Sequence, residues 1–368
     1  MHLCVIKLNV MTALFKPFKL RSLEIKNRIA LSPMQQYSAV DGLPGQWHLV
    51  HLGSRAVGGA GLIITECTAV SEHGRNTLFD VGLWNKHQLN AWKPIVQFVQ
   101  EQGSKIAVQL WHAGGKGSSS HPNEGMKPLT PDKGGWITKS ASATTIGFQQ
   151  PEAMSIDEIH LVKRDFVEAA KNAVRAGFDA IELHAAHGYL FHQFYSKLIN
   201  KRTDGYGGSF ANRIRILVET VQEVRSVIPK GMPLLTRISA VDYENSPDGW
   251  SLEDSVKLVK ILKENDVDLI TASGGGFVHV DPKIVKPNYQ LHLATEIKKQ
   301  TGMMVGTVGM ITSPQQANEI IEKEHAEIVV IAREHLRNPY FSINAAIELG
   351  EAPTIPWLYQ RAYSHLKF

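Results

Sequence analysis

Residues 155–187, SIDEIHLVKRDFVEAAKNAVRAGFDAIELHAAH, contain a helix pattern, a stop and a strand pattern in direct succession. Apolar residues recur at three- and four-residue steps through Ile156–Ala176, which predicts an amphipathic helix. Ser155 and Glu158 form a capping-box pattern at its start, and Gly177 is typical of a helix stop. A helix that feeds an apolar strand in this way is typical of a parallel α/β sheet.

Short apolar runs of strand length recur along the whole chain. They are Ile29–Leu31, Leu62–Thr65, Ile106–Leu110, Ala180–Leu183, Leu234–Ile238, Leu269–Ala272, Met304–Val308 and Ile328–Ile331. Further helical patterns lie between them, at Ile214–Val227, Leu252–Lys263 and Pro314–Lys323. Repeated strand–helix units of this number favour an α/β fold of the (β/α)8 TIM-barrel type over an open doubly wound sheet.

Three segments lie outside this repeat. Leu14–Asn27 has the pattern of a β-hairpin placed to plug the bottom of the barrel. Gly114–Pro151, after the third strand, has little periodicity, and a loop of this length predicts a lid or a binding loop. Residues 350–368 form an aromatic C-terminal tail. We interpret residues 1–10 as a disordered leader or a misplaced start, and residues 11–368 as a single domain.

Composition narrows the class of protein. The chain has 368 residues, 43% of them hydrophobic and 20% charged, which excludes a disordered or fibrous chain. Lys and Arg exceed Asp and Glu by only 39 to 35, so we expect no nucleic-acid partner. No apolar run reaches the ~18 residues that span a bilayer, and Cys4 and Cys67 cannot form a disulfide framework. We therefore expect a cytoplasmic protein with no membrane partner.

In a barrel of this type the active site lies at the carboxyl ends of the strands. The polar residues at the inferred strand ends are Ser32, Gln35, Tyr37, Glu66, Cys67, Gln109, His112, His184, His187, Tyr189, Arg237, Ser273, Gly309 and Arg333. Two interpretations fit the run from His184 to Tyr189. In one, the imidazoles are ligands of a metal; in the other, they donate a pair of hydrogen bonds to a carbonyl oxygen and Tyr189 is the proton donor. We predict no metal, because no Cys or acidic cluster has suitable spacing for the further ligands of zinc.

Two other features indicate an anionic ligand. Gly309 follows the seventh strand and Ala332-Arg333 follow the eighth, where TIM barrels often bind phosphate through backbone N–H groups. The competing reading is two ordinary turns and a surface arginine. Arg237 lies inside an apolar strand, so it implies either an anion or polar ligand in the barrel mouth or a structural ion pair. No Gly-x-Gly-x-x-Gly run follows a strand, which disfavours a Rossmann-type dinucleotide site.

The combination of motifs resembles the old yellow enzyme family of FMN-dependent ene-reductases, in particular its bacterial xenobiotic reductase and thermophilic-like class. The resemblance runs from about Leu14 to Arg361. The motifs are Asn27-Arg28-Ile29, Ser32-Pro33-Met34, Gln109-Leu110-x-His112-Ala113-Gly114, His184-Ala185-Ala186-His187-Gly188-Tyr189-Leu190, Arg202-Thr203-Asp204-x-Tyr206-Gly207-Gly208-Ser209 and Arg333-x-x-Leu336-Arg337-x-Pro339.

The resemblance implies a tightly bound, non-covalent FMN. Ser32, Pro33 and Met34 would line the flavin ring, Gln109 would pair with its pyrimidine edge, and Arg237 would stabilise the negative charge that reduction places there. The phosphate would be held by Gly309, Ala332 and Arg333. NAD(P)H would enter the same cavity, reduce the flavin and leave, which explains a nicotinamide enzyme without a Rossmann motif.

The resemblance also implies how an alkene is reduced. His184 and His187 would bind the activating oxygen of an α,β-unsaturated carbonyl compound or a nitro compound. Flavin would deliver hydride to the β-carbon, and Tyr189 would protonate the α-carbon from the opposite face. Tyr37 would place a further phenol beside the substrate. In this class the C-terminal tail reaches a neighbouring active site, so Arg361 is expected to bind substrate across the interface of a homodimer or homotetramer.

The sequence departs from the family's pattern at several positions. Ala332 replaces the usual glycine at the phosphate, and Gly115 stands where an arginine often follows His112-Ala113-Gly114, with Lys116 as a candidate cationic substitute. Gln35 stands where close relatives place a cysteine near flavin N5, so thiol-based tuning is not expected there. Cys67 stands where relatives often have alanine beside the pyrimidine, and either packs or tunes the ring. Two other classes remain open: a flavin-free barrel lyase or aldolase, which would want a lysine at a strand end, and a flavin-binding sensor with little turnover.

Overall fold

The computed structural model describes residues 11–147, 149–244, 246–278 and 280–365. The predicted leader, residues 1–10, lies outside the described residues. The strands are β1 (Phe18–Leu20), β2 (Leu23–Ile25), β3 (Ile29–Leu31), β4 (Leu62–Ala69), β5 (Lys105–Trp111), β6 (Lys139–Ser140), β7 (Glu152–Ala153), β8 (Ala180–Ala185), β9 (Leu234–Ser239), β10 (Leu269–Ser273), β11 (Val305–Thr307) and β12 (Ile328–Ile331).

The core of the molecule is a closed parallel barrel in the order β10-β11-β12-β3-β4-β5-β8-β9. Each predicted apolar run lies on one of these strands, so the predicted (β/α)8 TIM barrel is confirmed. The run at Met304–Val308 is shorter in the structure, where β11 covers only Val305–Thr307. β4 is longer than predicted and continues to Ala69, with a register shift against β5 between Ile64 and Cys67.

Helices surround the barrel. They are α1 (Gln46–Val57), α2 (Lys86–Glu101), α3 (Ile156–Ala176), α4 (Leu190–Tyr195), α5 (Phe210–Val227), α6 (Leu252–Glu264), α7 (Leu291–Thr301), α8 (Pro314–Glu322), α9 (Arg333–Arg337), α10 (Phe341–Glu348) and α11 (Gln360–Tyr363). Short 3-10 helices cover Ala13–Phe15, Glu72–Gly74, Gly114–Lys116, Pro122–Glu124, Pro131–Lys133, Pro282–Ile284 and Trp357–Tyr359. The caps of α3 are as predicted, because Ser155 and Glu158 form a reciprocal capping box and Gly177 ends the helix with φ of 92°.

The predicted hairpin closes the bottom of the barrel. β1 and β2 pair antiparallel, with Phe18 opposite Ile25. The apolar side chains of the hairpin pack in one buried cluster with Ala30, Leu62 and other residues from the barrel strands. The opposite end of the barrel, where the strands finish, is therefore the end that can admit a ligand.

The long loop and the tail lie outside the barrel. The loop after β5 contains short 3-10 turns and a small parallel pair, β6 with β7. In the tail, Trp357 and Leu358 are 76% and 68% exposed. Within the ranges that the structure describes, no helix is long and apolar enough to cross a membrane.

Candidate active site

A cavity of about 340 Å³ opens at the carboxyl ends of the barrel strands. Its lining includes the strand-end residues Ser32, His187, Arg237, Ser273, Gly309, Ala332 and Arg333. These residues come from β3, β8, β9, β10, β11 and β12 or from the turns that follow them, and the barrel brings them together from across the whole sequence.

His184 and His187 form a buried pair at this end of β8. His184 Nε2 lies 3.3 Å from His187 Nδ1, and the ring planes are nearly perpendicular at 88°. His184 Nδ1 accepts the backbone N–H of Ala186 at 3.1 Å, so in the neutral ring the proton is on Nε2. His187 Nε2 lies 2.8 Å from Ser273 Oγ. The Nε2–H of His184 is therefore directed toward His187 Nδ1.

Burial keeps both imidazoles neutral. It lowers the pKa of His184 and of His187 well below the usual value, and the positive charge of Arg237 lowers both pKa values further. A neutral imidazole beside a guanidinium can donate a hydrogen bond without adding a second buried positive charge. The pair is thus suited to hold an uncharged oxygen acceptor such as a carbonyl.

Tyr189 packs edge-on against His184. Its ring centroid lies 5.2 Å from that of His184 and 5.0 Å from that of Trp111, and Lys116 Nζ lies 5.2 Å from the Tyr189 ring centroid. Burial raises the pKa of the Tyr189 phenol well above its ordinary value. The phenol therefore stays protonated and available as a proton donor.

Backbone contacts fix the turn that carries these groups. His187 has φ of 57°, in the left-handed region, and its N–H donates to Ser239 Oγ at 2.8 Å. Lys116 Nζ donates to the carbonyl oxygens of His187 at 2.8 Å and Gly276 at 2.6 Å, and burial lowers the pKa of Lys116 to about 8. The next residue, Gly188, donates its N–H to His192 Nδ1 at 2.9 Å. The sequence analysis singled out Lys116 as a candidate cationic substitute but did not single out Ser239.

Two buried charged groups lie beside and below His184: Arg237 is its register partner on β9, and Glu182 is two residues earlier on β8. Arg237 is 8% exposed; its Nη1 donates to Ser32 Oγ at 3.2 Å, and its buried Nε has no partner. Glu182 is fully buried and accepts hydrogen bonds from Gln109 Nε2 at 2.7 Å and from Thr271 Oγ1 at 3.0 Å. Burial raises the pKa of Glu182, while Arg237 and the two donors oppose that rise.

Sequence reasoning missed Glu182, although a signal for it existed. An acidic residue inside an otherwise apolar strand is the same kind of anomaly that singled out Arg237. The run Ala180–Leu183 was treated as uniformly apolar. The sequence left two explanations of Arg237 open, a structural ion pair and a ligand in the barrel mouth. In the structure, Arg237 lines the cavity, and Glu182 is the strongest charge that acts on it.

The other end of the cavity is built from backbone. Gly309 has φ of 114°, and an added Cβ would lie 3.2 Å from Gln290 and from Tyr289. Ala332 precedes α9 with φ of −104°, so alanine in place of glycine causes no backbone strain there. Arg333 is exposed and lines the cavity. A glycine turn, a helix start and an arginine together suit a phosphate group.

The remaining predicted residues lie on the β3 and β4 side. Met34 packs partly buried against the core, and Pro33 is partly buried beside it. The side-chain amide of Gln35 is buried next to Asp80 and opposes the rise in the pKa of Asp80 that burial causes. Cys67 Sγ donates to Gln109 Oε1 at 3.2 Å, and burial raises the pKa of the Cys67 thiol well above its ordinary value.

Tyr37 and Arg361 differ in burial within a single chain. Tyr37 is partly buried, has φ of 50° and lies edge-on to His121 at 6.0 Å between ring centroids. Burial raises the pKa of Tyr37 to about 12. Arg361 is exposed on α11 and does not line the cavity of its own chain. Its predicted role in a neighbouring subunit stays a prediction.

No cluster of three or more His, Cys, Asp or Glu side chains arranged to hold a metal ion occurs in the part of the chain that the structure describes. The residues that are present fit a flavin nucleotide. Arg237 lines the cavity, and its buried Nε has no hydrogen-bond partner. Such an orphaned polar group in a cavity indicates a polar ligand that satisfies it.

Comparisons with known proteins agree with this geometry. Residues 13–350 match the NADH:flavin oxidoreductase / NADH oxidase family. An NADPH dehydrogenase of Listeria welshimeri is 42% identical over 96% of this chain and 100% of that protein. Morphinone reductase in complex with tetrahydroNAD is 26% identical, with a TM-score of 0.75 over 93% of this chain and 92% of that one. An old yellow enzyme homologue from Zymomonas mobilis is also 26% identical, with a TM-score of 0.76 over 93% and 94%.

The barrel, its mouth and these relatives define a flavin-dependent NAD(P)H oxidoreductase. The chain belongs to the NADH:flavin oxidoreductase / NADH oxidase family, and is of the old yellow enzyme type. Its cofactor is FMN and its reductant is NAD(P)H. The family decides between the classes that the sequence left open, because a flavin-free lyase and a sensor without turnover both disagree with it.

Proposed function

We propose that the protein reduces activated C=C bonds, those of α,β-unsaturated carbonyl compounds and of nitro compounds, at the expense of NAD(P)H. One observation carries the proposal: the neutral imidazoles of His184 and His187 pack with the protonated phenol of Tyr189, and His187 lines a cavity that a buried guanidinium also lines. This set can polarise an oxygen and deliver a proton, which are the two tasks an alkene reductase needs besides a hydride source.

The histidine pair binds the activating oxygen. His184 offers its Nε2–H, because its Nδ1 is already an acceptor. His187 becomes a second donor by a change of tautomer, since the Ser273 hydroxyl can either accept from or donate to His187 Nε2. Two hydrogen bonds to the oxygen withdraw electron density from the alkene and leave the β-carbon electron-poor.

Bound FMN supplies the hydride, which it takes from NAD(P)H. Tyr189 then donates its phenol proton to the α-carbon, which requires a phenol that is protonated at neutral pH. The raised pKa of Tyr189 provides this. Lys116 above the ring and Trp111 at its edge hold the phenol in place.

The residues proposed to hold FMN would contact different parts of the cofactor, some the ring and others the phosphate. The residues proposed to hold FMN are Ser32, Pro33, Met34, Gln35, Cys67, Gln109, Arg237, Gly309, Ala332 and Arg333. Arg237 is the only one of these with a buried positive charge, and it would stabilise the anionic reduced ring. Gly309, Ala332 and Arg333 would hold the phosphate.

Tyr37 completes the substrate side of the cavity. We propose that its phenol contacts the substrate, and that the chain forms a homodimer or homotetramer in which Arg361 enters a neighbouring site. The exposed apolar side chains of the tail beside Arg361, Trp357 and Leu358, support burial against another subunit.

Tyr189→Phe tests the proposal, with 2-cyclohexen-1-one as substrate. The two half-reactions are followed separately by anaerobic stopped flow. Reduction of the flavin by NADPH should stay within about twofold of the unmodified protein. Reoxidation by the enone should slow by about 10²–10⁴-fold, the usual contribution of a positioned proton donor.

The matched control is Tyr206→Phe. This tyrosine donates to Glu219 on α5, outside the cavity, so both half-reactions should keep their rates. Equal slowing of both half-reactions in Tyr189→Phe would remove Tyr189 from its role. Failure of the unmodified reduced protein to convert the enone, with normal reduction by NADPH, would reject the proposed substrate class.

A further inference from the structure

A buried carboxylate, Glu182, lies inside the barrel on β8 and takes no part in the mechanism above. Glu182 is two residues before His184 on β8, so both side chains face the same side of the strand. Its side chain is fully buried. A carboxylate in the interior of a barrel is costly unless it is paired or hydrogen-bonded, so its retention needs an explanation.

The contacts of Glu182 determine the orientation of one amide. Gln109 Nε2 donates to Glu182 Oε1 at 2.7 Å, and Gln109 Oε1 accepts from Cys67 Sγ at 3.2 Å. An ionised carboxylate is only an acceptor, so it excludes the flipped amide, which would turn an oxygen toward it. Both carboxylate oxygens accept a hydrogen bond and Arg237 favours the anion, which supports the ionised form of Glu182. In that form Glu182 holds the Gln109 carbonyl on the side of Cys67.

Glu182 also acts on the charge that faces the ligand. It is the strongest charge acting on Arg237, whose Nη1 donates to Ser32 and whose Nε is buried without a partner. The opposite charge of Glu182 partly offsets the attraction of Arg237 for electrons in the ring. Thr271 Oγ1, at 3.0 Å, is the second donor to the carboxylate and spreads its charge.

We propose that Glu182 is a positioning residue that fixes the Gln109 amide and, through its negative charge, lowers the reduction potential of the bound flavin. The proposal concerns the holoprotein alone and does not depend on the alkene substrate. It extends the role of the barrel interior from packing to control of how readily the flavin accepts electrons.

Glu182→Gln tests the proposal, because it removes the charge and keeps the size. The midpoint potential of bound FMN is measured by equilibration with a reference dye. The equilibrium constant for two-electron reduction should rise at least tenfold, a shift of about 30 mV. Thr236→Val is the matched control: this buried threonine lies on β9 beside Arg237, its hydroxyl has no partner, and the substitution should leave the potential unchanged.

A second variant keeps the proposal testable if Glu182→Gln does not fold. Thr271→Val removes a hydrogen bond that favours the ionised carboxylate, so Glu182 should carry less negative charge and the equilibrium constant for reduction should rise by at least threefold. A rise in both variants supports the proposal. The proposal would be overturned if the equilibrium constant for reduction stayed within twofold of that of the unmodified protein in every variant that binds FMN.

The positioning role has its own readout. The affinity of the apoprotein for oxidised FMN is measured in Gln109→Ala, in Glu182→Gln and in the double variant. If Glu182 acts through the amide, the effect of Glu182→Gln on affinity should largely disappear in the Gln109→Ala background. Additive effects of the two substitutions would contradict a positioning role.

Discussion

Single side chains in the active site are held mainly by the backbone around them. His184 accepts a backbone N–H, Lys116 donates to two backbone carbonyl groups, and Gly188 donates to His192. His192 in turn lies 2.6 Å from Asp242, and both are fully buried. These contacts keep the donor groups in place before a substrate arrives, so little reorganisation is needed when it binds.

At Gly309 we predict that Gly309→Ala weakens FMN binding. The residue adopts φ of 114°, and an added Cβ would crowd Gln290 at 3.2 Å. An alanine turn can relax in the apoprotein, so FMN binding must restore the strained conformation at about 1–3 kcal/mol. The dissociation constant should therefore rise by about tenfold or more, measured by the quenching of flavin fluorescence.

Gly205→Ala is the matched control for this prediction. No atom lies within 4 Å of its added Cβ, and its φ is outside the left-handed range. Its affinity for FMN should equal that of the unmodified protein. An unchanged affinity in Gly309→Ala would mean that the turn at Gly309 does not take part in binding the flavin.

Residues that break a local pattern were the ones that sequence analysis could find. Arg237 in an apolar strand and the His184–Tyr189 run stand out without any structure. The contacts of Lys116 do not, because only folding brings the carbonyl groups of His187 and Gly276 to its side chain. Contacts across 71 and 160 residues of sequence carry no local signal.

Among the elements, the β1–β2 hairpin is the one that closes the barrel. We predict that Ile25→Ala lowers the free energy of unfolding by about 2–5 kcal/mol, because it opens a cavity in the plug. Ile25 is fully buried in the cluster at the bottom of the barrel. Urea unfolding followed by circular dichroism measures the loss, while the catalytic groups at the far end should keep their activity at low temperature.

The neighbouring Glu24 provides the control. It is exposed on the same strand, so Glu24→Ala should change stability by less than about 0.5 kcal/mol. A loss in Glu24→Ala equal to that in Ile25→Ala would show that strand pairing, and not burial in the plug, stabilises this end.

Strands and long helices followed from periodicity, and the loops did not. The apolar runs predicted all eight barrel strands, because a strand of a parallel sheet is buried on both faces and is therefore apolar along its length. The segment 114–151 is organised by distant contacts instead: Ser119 bridges to Thr77, and Trp136 stacks on His73 at 5.9 Å between ring centroids. Such packing leaves no periodic trace in the sequence.

At the level of the whole molecule, buried histidines make the fold sensitive to acid. Burial lowers the pKa of His335 to about 4, whereas the unfolded chain has the ordinary value of 6.5. The unfolded state binds the proton first, so stability falls as the pH drops from about 6.5 to about 4. The same holds for His51 and His112, while Asp165, with a pKa raised to about 6, acts in the opposite direction.

We predict that His335→Leu makes the protein less sensitive to acid. Between pH 6.5 and 4 the variant should lose about 3 kcal/mol less unfolding free energy than the unmodified protein, since each pKa unit corresponds to about 1.4 kcal/mol. Urea unfolding at a series of pH values measures this. The exposed His160 is the control, and His160→Leu should follow the unmodified curve.

We propose that two imidazoles hold an oxygen above a flavin ring in the mouth of the barrel. Titration of the holoprotein with a phenol such as 4-hydroxybenzaldehyde tests this arrangement, because a phenolate held against the oxidised ring produces a long-wavelength charge-transfer band. We predict that the band appears and saturates in the unmodified protein, and that the affinity for the phenol falls at least tenfold in His184→Ala. Tight phenol binding without the band, or a band that His184→Ala and His187→Ala leave intact, would show that the imidazoles do not hold a ligand against the flavin.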